Sequence, residues 1–334
     1  MPANVETMMY VGEAPWHGLG TYVGDKNVDS KTAIKAAGLD WSVDKREAWF
    51  KNDEGNFVPG DGFEIVRTDK MISLGHASEQ YIPLQNSEAF EFMDKIVGAG
   101  RACYHTAGSL AHGKKVWILV DMKEENEIIS GDVVKNYVLL ANGHTGKNAL
   151  DILLTPTRVV CQNTLNIALS EKEKGCFFKF RHKGGLLDKV NSVTEAFETV
   201  SSKFKKFVEQ GKILAKKQIT QKQLDEFLIK LELERANERE SGVSQAAIDE
   251  FKESDKYSRL VNAFETSPGN AMSGASGTLW AAVNAVTYFV DHESRTRKSD
   301  NFLSSEESRL NSAWFAGGAA KKNKAFEIAL SMAN

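Results

Sequence analysis

The sequence predicts an α+β protein, in which an antiparallel sheet of hairpins with packed helices is followed by a mostly helical C-terminal half. Three observations support this class. Short apolar runs separated by turn residues fill the first half of the sequence. One segment among them has apolar residues at the three- and four-residue spacing of a helix. After Gly184-Gly185 this helical spacing dominates. We therefore divide the chain into an α+β core domain at residues 1–183 and a helical region at residues 184–334.

Three hairpins are predicted in the first half, each from two apolar runs with turn residues between them. The paired runs are residues 63–67 with 71–74, 101–109 with 114–122, and 133–141 with 148–154. Between the first two hairpins, Asn86 or Ser87 caps a predicted helix that ends at Gly98. After the third, residues 158–170 are predicted to be a helix and residues 176–181 a strand.

The helical region begins with a long predicted helix at residues 186–217. Its apolar residues are spaced alternately by four and three, which is a heptad seam: Leu186, Val190, Val193, Phe197, Val200, Phe204 and Phe207. The seam packs either on its own domain or against another subunit. Residues 235–256 are polar and predict a solvated helix or a linker. The other predicted helices span residues 221–234, 278–296, 304–316 and 320–333, and capping boxes support those that begin near residues 221 and 304.

Composition excludes several classes of protein. The chain has 334 residues, 42% of them apolar and 26% charged, with a net charge of −3, which is ordinary for a soluble globular protein. Apolar runs are too short for a membrane-spanning helix, and the N-terminus has no signal-peptide pattern. The three cysteines form no CxxC pair, so we expect a reducing cytoplasm.

The small net charge hides an uneven distribution. Residues 1–101 contain 10 Lys/Arg and 16 Asp/Glu, whereas residues 171–230 contain 14 Lys/Arg and 8 Asp/Glu. Residues 231–265 are acidic again, with 5 Lys/Arg and 9 Asp/Glu. A basic segment of this kind attracts phosphate even in an anionic chain, although lysine-rich helices are also simply solvated.

The sequence CFFKFRHK at residues 176–183 is the best candidate for a nucleic-acid surface. On a strand, Lys179, Arg181 and Lys183 share one face, and Phe178, Phe180 and His182 share the other. One face would then enter the core while the other presents cations to phosphates. An ordinary amphipathic strand explains the same pattern.

Other candidate sites have weaker patterns. Lys147 follows a glycine turn that fails the P-loop pattern, so it is either a phosphate contact or a solvated hairpin tip. The Gly/Ser loop at residues 274–278 opens an apolar helix and either binds an anion or caps that helix. Cys103 and His105 share a strand face, but two ligands do not make a zinc site. No metal, cofactor or catalytic residue is predicted.

The sequence APWHGLG at residues 14–20 concentrates Trp16, His17 and glycines without secondary-structure periodicity. Trp16 could stack on a base or pack under the sheet.

Several sequence boxes together resemble the phage/plasmid-like proteins grouped as domain of unknown function 932. The boxes are VETMMYVGEAPWHGLGTYV (5–23), YIPLQNSEAF (81–90), the hairpin between Gly108 and Trp117, TPTRVVCQNTLNIAL (155–169), FRHK (180–183) and GTLWAAVNAVTYFVDHESRTR (277–297). The resemblance implies a gene carried by bacteriophage or prophage and a protein that works in the cytoplasm of the bacterial host. It implies no reaction, so no catalytic residue can be transferred.

The order of hairpins, basic strand and long helices also resembles the Rad52-type single-strand annealing fold, whose members form rings with a basic groove. The chain departs from that pattern because its total charge is not basic and because it has an additional helical half.

Two functions follow as hypotheses. The first is a non-enzymatic protein that binds single-stranded nucleic acid, DNA in preference, for recombination and acts as a homo-oligomer such as a ring. Its predicted nucleic-acid-binding residues are Lys147, Arg158, Lys172, Lys174, Lys179, Arg181, Lys183, Arg295 and Arg297, with Trp16, His17 or His144 stacking on bases or lining a pocket. The second is a phage counter-defence factor or nucleotide-processing protein, with a pocket where Trp16, His17, His144 and residues 274–278 converge.

Overall fold

Two antiparallel sheets and a set of C-terminal helices make up the computed structural model of the protein. The structure describes residues 5–12, 20–25, 28–98, 100, 102–147, 149–158, 163–164, 177–185, 198–234, 243–294, 312–313 and 317–334. This content confirms the predicted α+β class with a helical C-terminal half.

The larger sheet has nine strands, in the order β11-β10-β8-β7-β6-β1-β2, and β9 joins it between β8 and β12. Their bounds are β1 Val5–Tyr10, β2 Thr21–Tyr22, β6 Cys103–Leu110, β7 Lys115–Ile129, β8 Asp132–Gly143, β9 Leu150–Leu154, β10 Thr157–Arg158, β11 Asn163–Thr164 and β12 Phe177–Phe180. All pairs are antiparallel except β1 with β2. On one side β8 pairs with β7, and on the other it pairs with β10 near its start and with β9 near its end.

The smaller sheet has the order β3-β4-β5, formed by Val43–Lys51, Phe57–Arg67 and Ile72–Ala77. It lies against the end of the larger sheet where β8 turns into β9. A side chain at Gly75 of β5 would collide with the backbone of Thr145 in that turn. The contact is therefore a close approach of two backbones, which only glycine permits.

Eight described helices complete the fold. Their bounds are α1 Ser30–Ala36, α2 Asn86–Val97, α3 Glu198–Lys216, α4 Gln221–Glu232, α5 Gln245–Lys252, α6 Asp255–Thr266, α7 Leu279–Tyr288 and α8 Gly317–Ala333. Helix α7 continues into a π-helical turn at Phe289–Glu293. No helix in the described ranges is long and apolar enough to cross a membrane.

The protein has two main apolar cores, and the β7–β8 hairpin contributes to both. The first core lies between the sheets and α1 and α2, and it includes Ile118 and Leu140 from the middle of the hairpin. The second lies among α3, α4, α7 and α8, and it includes Ile128 and Val134 from the hairpin's far end. The helices after residue 184 therefore share a core with this hairpin.

The three predicted hairpins are confirmed, as is the strand at β12. The first helix is also confirmed, although its cap is Gln85, whose backbone N–H donates to Glu88 at 2.7 Å. The prediction of a helix at residues 158–170 is wrong for those of its residues that the structure describes. Thr157 and Arg158 instead form β10 between Val134–Lys135 of β8 and the short β11, because edge pairing with β8 outweighs the local helical period.

The described part of the predicted long helix is α3, and residues 186–197 lie outside the described ranges. Val200, Phe204 and Phe207 are at most 4% exposed, and all three are buried in the chain's own cores. For this part of the heptad seam, the interpretation as packing within the chain is confirmed. The capping box of α4, Thr220 with Gln223, is confirmed too. The predicted polar stretch contains α5 and the start of α6, and the predicted final helix is α8, which begins at Gly317. Of the helix predicted at residues 304–316, only residues 312–313 are described, and they are helical.

Candidate nucleic-acid interface

The amphipathic pattern predicted for residues 177–183 is confirmed by the burial of β12 and the residues after it. Phe178 and Phe180 pack against the first core, and His182 is buried. Lys179, Arg181 and Lys183 are exposed on the other face, and the Lys179 side chain is 62% exposed. We call these three cations the cationic strip. They lie on an edge of the sheet, because β12 pairs only with β9 among the described strands.

The chain after β12 is held in place by residues 80–82. The Ile82 backbone N–H donates to the His182 carbonyl at 3.0 Å, and His182 Nδ1 lies 3.2 Å from the Ile82 carbonyl. Lys183 donates to the Gln80 side chain at 2.9 Å. Burial lowers the pKa of His182 to about 4, so its ring is neutral at physiological pH. The cationic strip is therefore presented from a fixed backbone rather than from a loose loop.

One buried carboxylate lies beside the cationic strip. Asp151 of β9 pairs with Lys179 of β12, and its Oδ1 lies 4.0 Å from the Lys179 Nζ. Burial raises the pKa of the Asp151 carboxyl group. Burial also lowers the pKa of Lys115 to about 8, although the Asp151 carboxylate favours its charged form. Lys115, at the start of β7, thus adds a half-buried cation to the same face of the sheet.

Lys147 is placed at the same end of the sheet as the cationic strip. It is exposed and follows the turn between β8 and β9, as the sequence predicted for a hairpin tip. Phe180 at the end of β12 pairs with Leu150 at the start of β9, so Lys147 and Lys183 leave the same end of this strand pair. Gly146 in the turn packs against the His76 backbone of β5, which fixes the turn that presents Lys147.

The structure does not bring Arg158 to this surface. Its backbone pairs with Val134, nine residues before Gly143 at the other end of β8. At 3.3 Å per residue, that places the Arg158 backbone about 30 Å along the sheet from the turn before Lys147. The remaining predicted cations and stacking residues lie outside the described ranges: Lys172, Lys174, Arg295, Arg297, Trp16 and His17.

His144 is a core residue, which corrects its predicted role as a surface stacking group. Its side chain is 0% exposed, and its Nε2 lies 3.0 Å from Asn86 Oδ1 and 3.5 Å from Asn142 Nδ2. Its ring meets the Trp41 ring edge-on, with centroids 5.4 Å apart. Burial lowers the pKa of His144 to about 3, so the ring is neutral. Both asparagines contact the Nε2 atom, whereas Nδ1 is buried without a hydrogen-bond partner among the described residues.

The predicted pocket is not assembled by its described parts. The loop at residues 274–278 packs at the tip of the β7–β8 hairpin, where Gly274 faces Ile129. His144 follows the other end of β8, about 40 Å away along the strand. Thr278 is the N-cap of α7, accepting from the Ala281 N–H at 3.1 Å, which confirms the capping interpretation of this loop.

The Cys103 and His105 pair gives no metal centre in the described ranges. A bulge between Tyr104 and Thr106 interrupts the strand alternation at His105. Burial raises the pKa of the Cys103 thiol, which disfavours the thiolate that a metal needs. Across the described parts of the chain, no three His, Cys, Asp or Glu side chains are grouped so that they could hold a metal ion.

Comparison with family models identifies the family of this chain. A family model described as Domain of unknown function (DUF932) matches residues 73–314. The chain belongs to the DUF932 family. No curated protein and no solved structure matches the chain significantly. The DUF932 match includes β12, Lys147 and α3, whereas β1–β4 lie before it.

Sequence reasoning missed Lys115 and Asp151. A signal for Asp151 was present, because it is the single charge in the apolar strand LDILL at residues 150–154. A charge in such a strand predicts a nearby cation. Lys115 gave a weaker signal, since a lysine at the start of a strand is usually solvated.

Proposed function

We propose that this DUF932 protein is a phage-encoded, non-enzymatic protein that binds single-stranded DNA during recombination and acts as an oligomer. The cationic strip supports the proposal most directly. Lys179 on the edge strand β12 and Arg181 and Lys183 directly after it are all exposed cations, and the segment that presents them is anchored on its inner face by Phe178, Phe180 and His182.

The spacing of the cationic strip suits a nucleic-acid backbone. Lys179 is on β12, and Arg181 and Lys183 follow it within the next four residues, so the three exposed cations form a short row along the chain. Long Lys and Arg side chains on such a row can reach successive phosphates, which gives affinity without sequence preference. Lys147 and Lys115 extend the positive surface at the same end of the sheet.

The location of the strip also favours a flexible strand over a duplex. It begins on the edge strand β12 and continues into a backbone clamp with residues 80–82, so it is a short row on one edge of the sheet. A single strand can follow one row of cations, whereas duplex recognition uses an element that fits a groove.

Binding of fluorescein-labelled oligothymidylate tests this proposal by fluorescence anisotropy at 50 mM salt. The variant with Lys179→Ala, Arg181→Ala and Lys183→Ala is expected to bind at least tenfold more weakly than the wild-type protein. The matched control replaces three exposed cations of α1 and β3, Lys31→Ala, Lys35→Ala and Arg46→Ala, and is expected to bind normally. Equal losses in both variants, or tighter binding of a duplex of the same length, would contradict the proposal.

A further inference from the structure

The end of the β3–β4 hairpin projects beyond its sheet. Strand β5 pairs only with residues 63–67 of β4, so residues 47–62 form a two-stranded ribbon without a third strand. We call residues 47–62 the arm. It has three large exposed aromatic side chains: Trp49 is 53% exposed, Phe50 56% and Phe57 68%.

The aromatic residues occupy both faces of the arm. Trp49 pairs with Pro59 and Lys51 pairs with Phe57, which places these four side chains on one face. Phe50 pairs with Val58 on the opposite face. An isolated two-stranded ribbon is marginally stable in water, and exposed aromatic clusters mark contact surfaces. The arm therefore has the composition of an element that a partner covers.

The charge of the arm restricts that partner. The arm contains one lysine, Lys51, and four exposed carboxylates, Glu47, Asp53, Glu54 and Asp61. This negative charge repels a phosphate backbone, so the aromatic residues of the arm are poorly suited to nucleic acid. A surface of lysines with an apolar centre is complementary to it.

Such a surface exists on the outer side of α3 and the residue after it. Lys205, Glu209, Ile213, Lys216 and Lys217 are exposed at helical spacing and form one stripe. Ile213 is 52% exposed in the middle of these charges. Glu209 is already paired with Lys212 at 3.0 Å, so the stripe is positive.

Lysine and aromatic side chains of this chain already contact one another in the way that such an interface requires. The Lys51 Nζ lies 5.2 Å from the Phe57 ring centroid, and the Lys45 Nζ lies 4.3 Å from that of Phe63. Contacts of this kind are stabilised by the negative face of the ring.

The two surfaces lie at different ends of the protein. The small sheet packs on the turn at Thr145, whereas α3 packs near the far end of the β7–β8 hairpin, where Gly211 meets Ile128. These positions are about 40 Å apart along β8. A contact between two different surfaces of identical chains is heterologous, and it generates a ring when the rotation closes.

We propose that the arm of one copy docks on the α3 stripe of a second copy of this chain, head to tail. This inference deepens the oligomer clause of the proposed function and needs no DNA. Trp49 and Phe57 would cover Ile213, and the arm carboxylates would face Lys216 and Lys217.

Sedimentation velocity without DNA tests the proposal on the full chain. The wild-type protein is expected to sediment as an oligomer and the variant Trp49→Ser with Phe57→Ser as a monomer. The control variant Met71→Ser with Ile82→Ser removes two exposed apolar side chains elsewhere and is expected to remain oligomeric. A monomeric wild-type protein at 50 μM, or an oligomeric arm variant, would overturn the proposal. Circular dichroism checks that each variant is folded.

Charge reversal identifies the docking surface. Asp53→Lys with Glu54→Lys is expected to dissociate the oligomer, as is Lys216→Glu with Lys217→Glu, and an equimolar mixture of the two variants is expected to restore a hetero-oligomer. Failure of the mixture to associate would overturn the assignment to α3. If the arm variants stay oligomeric but lose DNA binding, the arm contacts DNA instead. Loss of DNA binding with an intact oligomer in the strip variant would leave this proposal standing, so the two proposals fail separately.

Discussion

Arg67 is a charged side chain that lies almost wholly inside the protein, at 2% exposure. It forms ion pairs with Glu6 at 2.6 Å and Asp69 at 2.7 Å, and its guanidinium lies 4.2 Å from the Trp41 ring centroid. These partners come from three parts of the chain. Local periodicity predicted the strand that ends at Arg67, but it contains no information about Glu6, which is 61 residues away.

Replacing Arg67 with alanine is expected to lower the free energy of unfolding by about 3–5 kcal/mol, because it removes a buried ion pair and leaves the mostly buried Glu6 carboxylate with Lys70 as its ion-pair partner. Arg46 pairs with Asp44 at the surface, where both side chains are nearly half exposed. Arg46→Ala is therefore expected to change stability by about 1 kcal/mol or less. Urea denaturation of the two variants measures the difference. Similar losses would show that burial of Arg67 does not matter.

The buried histidines make stability depend on pH. Burial lowers the pKa of His144 to about 3 and that of His182 to about 4, against an ordinary value near 6.5. Below pH 6.5 these histidines take up protons in the unfolded chain but not in the folded chain. Their contribution to the free energy of unfolding is therefore complete above that pH and is lost as pH falls toward the pKa values of the folded state. Each histidine contributes a slope of about 1.4 kcal/mol per pH unit within this window.

His144→Gln is expected to reduce the slope of unfolding free energy between pH 6 and pH 5 by about 1.4 kcal/mol per pH unit. His76→Gln is the matched control, because its side chain is half exposed. Chemical denaturation at several pH values gives both slopes. An unchanged slope in His144→Gln would place that ring in water rather than in the core.

At the scale of elements, the β7–β8 hairpin is the main connection between the two cores. Its far end supplies Ile128 and Val134 to the helical core, and Asp132 accepts from the buried Trp280 indole N–H of α7 at 2.8 Å. Helix α3 also packs along β7 near Glu124, whose carboxylate accepts from the Ser201 hydroxyl. The helices therefore depend on the sheet for part of their core.

Ile128→Ala is expected to destabilise the whole protein by about 2–5 kcal/mol in a single unfolding transition. The side chain is 5% exposed, and it belongs to an element that both cores share. Ile82→Ala, at 49% exposure, is the control and is expected to cost far less. Urea titrations followed by tryptophan fluorescence and by circular dichroism measure both variants. Two separate transitions in Ile128→Ala would show that the helices unfold independently of the sheet.

The sequence predicted elements whose signals are local. The three hairpins and α2 were found because turn residues and apolar periods lie within about 20 residues of each other. The false helix at residue 158 has the opposite cause, since Thr157 and Arg158 pair with a strand more than 20 residues earlier. The heptad spacing of α3 was recognised in the sequence, but the spacing does not identify the surface against which the seam packs.

At the scale of the whole molecule, positive and negative charges are concentrated on different surfaces. The arm is acidic and the α3 stripe and the cationic strip are basic, so the small net charge of −3 for the whole chain conceals surfaces of opposite sign. The face of the cationic strip could be predicted because strand alternation is local. Its neighbours Lys115 and Asp151 could not, because they join it through β7 and β9.

The salt dependence of single-strand binding tests the central claim most directly. The logarithm of the association constant for oligothymidylate is plotted against the logarithm of salt concentration from 50 to 300 mM. Removing the three cations of the strip is expected to lower the slope by about 2, since each phosphate contact on a single strand contributes about 0.7. The control lacking Lys31, Lys35 and Arg46 is expected to keep the wild-type slope. Equal slopes for the wild-type protein and the strip variant would contradict the claim that this surface binds DNA.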